Sequence, residues 1–259
     1  PIDMELEDFF GKPPVTIMED TTITEEYSAP EYDQESLPTY IENVLKLEGV
    51  ACKDWLTNKV DRSVTGKIGR QQCQGEIQLP LSDCGAIALD YNGYAGMATS
   101  LGHAPQVAMI DPAAGSVMAV AEALTNIVFA PLADGLQSVS LSANWMWPCR
   151  NPGEDARLYK AVEACSDFTC DLGINIPTGK DSLSMTQKYG DDKVYSPGTV
   201  IISAAAEVKN IRKIVSPVLA YIRGTYLYYI DFSFDTFKLG GSAFAQTMSK
   251  IGDEAPTVT

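Results

Sequence analysis

The sequence predicts a mixed α/β or α+β architecture, and three observations predict it. Short apolar runs bounded by Gly, Pro and Ser recur between residues 85 and 207. Two long helical segments lie between them: the Ala-rich residues 112–132, and residues 153–170, opened by an NPGED turn whose acids favour a helix N-terminus. Strands alternating with long helices are the mark of this class. The 259 residues allow one large or two smaller domains with a sizeable core, and a hydrophobic fraction of 45% is ordinary for a globular chain.

Taken in order, residues 36–50 (SLPTYIENVLKLEGV) place Leu and Ile at helical spacing, with Ser36 as the candidate N-cap. Residues 52–60 (CKDWLTNKV) fit a second short helix, and the polar, Gly-containing residues 60–78 fit a loop or edge strand. Residues 85–90 read as a strand. The Gly- and Ser-punctuated residues 93–102 lead to another strand, QVAMID, at 106–111. The long Ala-rich helix follows, then a strand at 138–144 (SVSLSAN), the helix at 153–170, and strands at 174–176 and 199–207 (TVIISAAAE). A charged break, KNIRK, spans 209–213, and YLYYIDF at 226–232 begins a new strand-rich unit. These signals divide the chain into residues 1–35, 36–212 and 213–259. The last part is too short for a comfortable core of its own. It reads as the truncated start of a further domain, just as Pro1 reads as a cut from something longer.

Charge is unevenly spread. Residues 1–50 hold thirteen acids against Lys12 and Lys46, so −11 of the net charge of −15 lies there. That field disfavours nucleic acid as a partner. The Pro- and Glu-rich stretch within residues 1–35 reads as an acidic extended connector that wraps another domain. No apolar run has the length of a membrane helix, and no basic segment precedes an apolar one as in a secretory signal. The six cysteines form no C-x-x-C. They read as reduced thiols of a cytoplasmic protein, with Cys84 and Cys165 in the core. The one histidine, His103, sits in a turn-like GHAP segment and reads as non-catalytic.

Three residues carry chemistry. Glu122 and Asn126 stand at i and i+4 on one face of the Ala-rich helix, and Asp83 lies upstream in LPLSDCGAIAL. Oxygen ligands suit Mg²⁺, which is usually held by one or two side chains together with substrate phosphates. The trio is therefore a candidate Mg–nucleotide site, although the same spacing is common in solvated or structural pairs. Residues 173–181 (GINIPTGKD) are a near miss for a phosphate-binding P-loop. Five residues, not four, separate the glycines, and Asp181 stands where a hydroxyl belongs. The segment reads as a surface turn between strands, or as a place for Lys180 to meet a phosphate. Gly240–Gly241–Ser242 reads as a tight turn entering a helix, or as a backbone anion contact.

Several blocks carry a family resemblance: VDRSVTGKIGRQQCQGEIQLPLSDCGAIAL (60–89), GSVMAVAEALTNIV (115–128), LSANWMWPCRNPGEDARLY (141–159), IPTGKDSLSM (176–185) and LGGSAFAQ (239–246). In this order they resemble the large, multidomain phosphoribosylformylglycinamidine synthase family. The resemblance covers nearly the whole chain but only part of the family's architecture. It implies an α+β fold: an aminoimidazole ribonucleotide synthetase-like N-terminal domain at 36–212, a sheet plus helices that pairs into a barrel with a second copy. The truncated start of the C-terminal-type α/β domain follows at 213–259. The implied activity is step four of de novo purine biosynthesis, in which ATP and glutamine-derived ammonia convert formylglycinamide ribonucleotide to the amidine.

By the same resemblance, Asp83, Glu122 and Asn126 ligate Mg²⁺ beside ATP or ADP, Ser82 contacts the nucleotide, and Lys180 lies in a loop near the cleft. The family's histidine motif and Gly-rich loop, in its first half, are absent from this sequence, so no catalytic acid or base is assigned. A further metal-binding Asp and nucleotide-contacting Ser would lie beyond Thr259. The implied partners are a small-molecule substrate and the rest of the polypeptide: a first synthase half and a glutaminase domain. A homodimer through the vacated pairing surface is expected of the isolated piece. The alternatives are a structural module whose retained ADP props up the fold, and a stand-alone aminoimidazole ribonucleotide synthetase-like protein.

Overall fold

The computed structural model describes residues 3–12, 15–52, 66–219, 221–233 and 236–258. The helix expected at 52–60 falls, but for Cys52, outside them.

Alternation of inward and outward side chains builds the central sheet. Its strands are β1 (Ile68–Arg70), β4 (Cys84–Ala88), β5 (Gly96–Gly102), β7 (Val139–Met146), β8 (Asn175–Ser182) and β11 (Thr199–Val208). The short pair β2 (Cys73–Gln74) and β3 (Leu79–Pro80) precedes β4. β6 is Ala133–Leu136, and the hairpin β9 (Thr186–Tyr189) and β10 (Asp192–Tyr195) precedes β11. The order across the sheet is β1-β4-β5-β11-β7-β8, antiparallel throughout except for the parallel β7–β8 edge.

One face of this sheet is small and apolar: Ala86, Ala98, Ala204, Ala206 and Ile202 are all buried. Small strand residues let a helix approach closely, and α4 (Pro112–Ile127) lies against β5 and β11 with Ala119, Val120, Ala123 and Ile127 fully buried. Asp111 caps α4 by accepting the N–H groups of Ala113 and Ala114 at 2.9 and 3.3 Å, with Pro112 in the first turn. α5 (Glu154–Asp171) packs beside α4, and Ser116 Oγ donates across to Ala161 O at 2.8 Å. The opposite face of the sheet is open: Met97 and Leu101 on β5 are 40% and 60% exposed.

The described residues of the acidic segment hold no regular structure apart from α1 (Leu6–Phe10) and a 3₁₀ turn at Gln34–Ser36. Asp20 reaches the start of α5, where its carboxylate accepts the N–H groups of Gly153, Asp155 and Ala156 at 3.2, 3.1 and 3.3 Å. Gly153 has φ +81 and sits under Ile23, so a side chain there would be strained and crowded. α2 (Leu37–Lys46) follows and meets α6 (Ala243–Thr247), with the Tyr40 and Phe244 rings edge-on at 5.3 Å.

Several expectations need correction. QVAMID is a helix, α3 (Pro105–Ile110), because Pro105 starts a turn whose Val107 and Ala108 are buried, and the strand is the Gly-punctuated β5 before it. A short apolar run does not distinguish the two. Ser36 makes no capping bond; Asp33, three residues earlier, accepts Glu35 N–H instead. The Ala-rich helix stops at Ile127, ahead of Pro131, short of residue 132. The GKD segment is part of strand β8, not a surface turn. Residues 226–232 form no strand: Tyr226, Leu227 and Tyr228 are 76–84% exposed, and no described strand pairs with them. A strand needs a partner for its backbone N–H and C=O groups.

Candidate functional site

The C-terminal end of β5 sets the geometry of the site. Gly102 passes so close to α4 that an added Cβ would strike Ala119 O and Ala123 N. This contact brings the polar face of α4 onto the strand end. Asn126 Nδ2 donates to Leu101 O at 3.0 Å, which leaves its Oδ1 as the free donor atom toward a cation. Glu122 Oε2 accepts the backbone N–H of His103 at 2.6 Å. Asp83 immediately precedes β4, the strand paired with β5 on its other side.

Ser82, Asp83, Glu122 and Asn126 consequently line one cleft of about 800 Å³, together with Gln72 and His103. That volume is within the usual range for a small-molecule site. A smaller pocket of about 110 Å³ lies alongside, lined by Arg70, Phe129 and residues 214–217 and sharing Ser82, Asp83, Cys84 and Asn126 with the cleft. Cys84 is buried, and burial pushes its thiol above the ordinary value, opposed by the Arg70 charge. Cys165, buried between helix and sheet, is pushed up to about 11 by burial alone. Neither thiol is poised as a nucleophile.

The donor set fits Mg²⁺. Two carboxylates and an amide carbonyl offer oxygen only, the preference of a hard cation. Among the described residues no three His, Cys, Asp or Glu side chains close into a metal cage.

Lys180 does not join this group. It lies on β8, at the sheet edge four strands from β4, about 19 Å away at the usual strand spacing, and its Nζ donates to Asp181 O and Ser182 Oγ. The GGS turn spends its backbone internally: Gly240 and Gly241 N–H donate to Glu254 O and Ile251 O at 2.9 and 2.7 Å, and Ser242 caps α6. It is a turn, not an anion contact. Two residues of the site were missed from the sequence. His103 was set aside, yet its Nδ1 stands 3.5 Å from Glu122 Oε2. Arg70 carries no signal in its own stretch of chain: a register irregularity between Ile68 and Arg70 sets Ile68 opposite exposed Ile87 but Arg70 opposite buried Ala86, which strand alternation alone does not foretell.

The fold defines a class: an α+β domain of the aminoimidazole ribonucleotide synthetase N-terminal type, with helices on one face of its sheet. The chain belongs to the FGAR-AT PurM_N-like domain family, whose model matches residues 52–207. It is 41% identical to human phosphoribosylformylglycinamidine synthase over 99% of this chain and 19% of that protein. It is 39% identical to the Drosophila melanogaster protein of the same name over 100% of this chain and 19% of that protein. The chain thus spans about a fifth of the length of these curated relatives. Among solved structures it resembles T. maritima PurL complexed with AMPPCP, with a TM-score of 0.51 and 14% identity, covering 81% of this chain and 31% of that one.

Proposed function

We propose that the intact protein is an ATP-dependent synthase of the purine pathway, acting in the cytoplasm, to which this stretch contributes a Mg–nucleotide site. Its substrates are formylglycinamide ribonucleotide and ammonia drawn from glutamine. The observation that carries the reading is the convergence of Asp83, Glu122 and Asn126, with Ser82 beside them, on one cleft. The names of the curated relatives support the synthase, and the nucleotide analogue in the structural neighbour supports the ligand.

In this reading Asp83 and Glu122 bind the cation as carboxylates and exchange no proton. Asn126 adds a neutral oxygen and limits the local negative charge. Mg²⁺, when bound, supplies charge neutralisation of the phosphates. The reaction itself transfers the terminal phosphoryl group of ATP to the glycinamide carbonyl oxygen, on the amide that joins glycine to the ribosyl nitrogen, releasing ADP. Ammonia then adds to the amide carbon, and inorganic phosphate leaves with that oxygen as the C=N bond forms. Residues 36–212 form the synthetase-like domain, and residues 213–259 begin the next one. The open sheet face receives the first synthase half.

A second reading makes the nucleotide a structural ADP. The start of β4, the end of α4 and residues 214–217 meet around Asp83 and Asn126, so a ligand there would tie three segments together. One experiment separates the two. Asp83→Ala and Glu122→Ala are introduced into the intact polypeptide, and co-purified ADP, amidine formation and melting temperature are measured. Turnover lost by orders of magnitude with a normal melt supports the catalytic site. Lost ADP and a lower melt with near-normal turnover support the structural one. No change in any of them refutes the site.

A further inference from the structure

Arg70 is the one charged side chain less than a tenth exposed among the described residues, at 8%. Its guanidinium donates to Gln74 Oε1 at 2.6 Å and to Ile214 O at 3.2 Å, both neutral acceptors. None of the ion pairs among the described residues includes it. Desolvation lowers its pKa, but an arginine this far from neutral pH keeps its charge. A buried cation without a counter-charge is costly unless an anion arrives to pair with it.

Two further orphans lie next to it. Gln72 Nε2 and Ser82 Oγ are both buried without a hydrogen-bond partner, and Ser82 N–H donates to Gln72 O at 3.1 Å, which holds the two residues together. Ser82 lines both the cleft and the small pocket, Gln72 the first and Arg70 the second. A buried water would satisfy the amide and the hydroxyl but would leave the guanidinium uncompensated. An oxyanion answers all three, and the arginine fork matches phosphate geometry. Among the other walls, Leu81, Phe129, Val215 and Pro217 are apolar and strengthen such a contact, whereas Asp83 in the same lining is a carboxylate that needs the cation between it and the oxyanion. A chain of net charge −15 repels anions in general, so holding one requires a dedicated cation.

We propose that Arg70, Gln72 and Ser82 form a phosphoryl-oxyanion subsite beside the metal-binding trio. The subsite rests on the nucleotide reading in one respect: it takes the phosphoryl group whose cation Asp83, Glu122 and Asn126 hold.

The test is calorimetric titration of the intact polypeptide, stripped of co-purified nucleotide, with ADP and with pyrophosphate, each in Mg²⁺, alongside Mn²⁺ alone followed by electron paramagnetic resonance. Arg70→Met is expected to weaken ADP and pyrophosphate binding about tenfold or more, and Ser82→Ala to weaken them several-fold, with Mn²⁺ affinity unchanged. Asp83→Asn is expected to weaken Mn²⁺ binding, and with it the binding of ADP and pyrophosphate in Mg²⁺. Arg70→Lys keeps the charge and loses the fork; with Ser82→Ala it carries the test if Arg70→Met does not fold. If the unaltered protein binds pyrophosphate but not ADP, and Arg70→Met abolishes it, the subsite stands and the nucleotide reading falls. If ADP binds equally well to Arg70→Met, Arg70→Lys and Ser82→Ala, the subsite is overturned and the nucleotide reading survives. If the unaltered protein binds neither, both are overturned.

Discussion

The Glu122 carboxylate accepts the backbone N–H of His103 at 2.6 Å, with the imidazole Nδ1 3.5 Å from the same oxygen. This bond joins the polar face of α4 to the first residue after β5, so one carboxylate of the candidate metal site is oriented before any cation arrives. Preorganisation of this kind reduces what binding must spend on ordering the ligand.

Glu122→Gln keeps an oxygen to accept the His103 N–H and removes the charge. Mn²⁺ affinity is expected to fall about tenfold while stability to urea changes by less than about 1 kcal/mol, as for a partly exposed side chain. Intact Mn²⁺ binding with a large loss of stability would make Glu122 a tie for β5 instead of a ligand.

Gly102→Ala should act at both levels. The added Cβ meets the α4 backbone, which has no room to yield, so destabilisation of about 1–3 kcal/mol is expected in equilibrium unfolding. Because Leu101 O and His103 N–H flank the clash, ADP affinity should fall with it. A variant as stable as the parent would mean that α4 and β5 separate more easily than their contacts imply.

Asp20 ties the acidic segment to α5. The Thr21 N–H has the largest effect on its carboxyl; burial opposes it next, and the N–H groups of Gly153, Ala156 and Asp155 add to Thr21 to hold it below the usual value. A folded-state pKa below the unfolded one adds stability that is complete above the unfolded value and is lost as pH falls through the folded one. Hydrogen-exchange protection of the Gly153, Asp155 and Ala156 amides, corrected for intrinsic rates, should exceed that in Asp20→Asn at neutral pH. The difference should begin to shrink only below about pH 4, the unfolded value, and vanish once pH falls through the lower folded one. Equal protection at neutral pH would show that the capping bonds do not hold in solution.

The open sheet face carries exposed Ile87, Met97 and Leu101. A polypeptide of these residues alone is expected to self-associate through that face, and Met97→Lys to weaken the association. A monomeric mass in light scattering at high concentration would sink the idea.

Much of the fold was legible because its signals are local. The 3.6-residue period of Pro112–Ile127 and the two-residue alternation of Thr199–Val208 show in composition alone, since each element presents one face to a single core. Glu122 and Asn126 could be placed on one face from spacing, with no knowledge of what that face meets. QVAMID escapes this logic because its four consecutive apolar residues carry no usable period, and Pro105 and burial decide the matter.

By itself, then, the sequence determined which segments are helix or strand over the longer runs, and which residues have the chemistry to hold a cation. Tertiary structure alone decided which of them meet. Strand order separates Lys180 from Asp83 although both lie in family blocks, because β5, β11 and β7 come between β4 and β8. Packing buries Arg70 outside every ion pair among the described residues and brings His103 onto Glu122. These are consequences of long-range contacts, and a residue's neighbours across a sheet leave no periodic trace in its own stretch of chain.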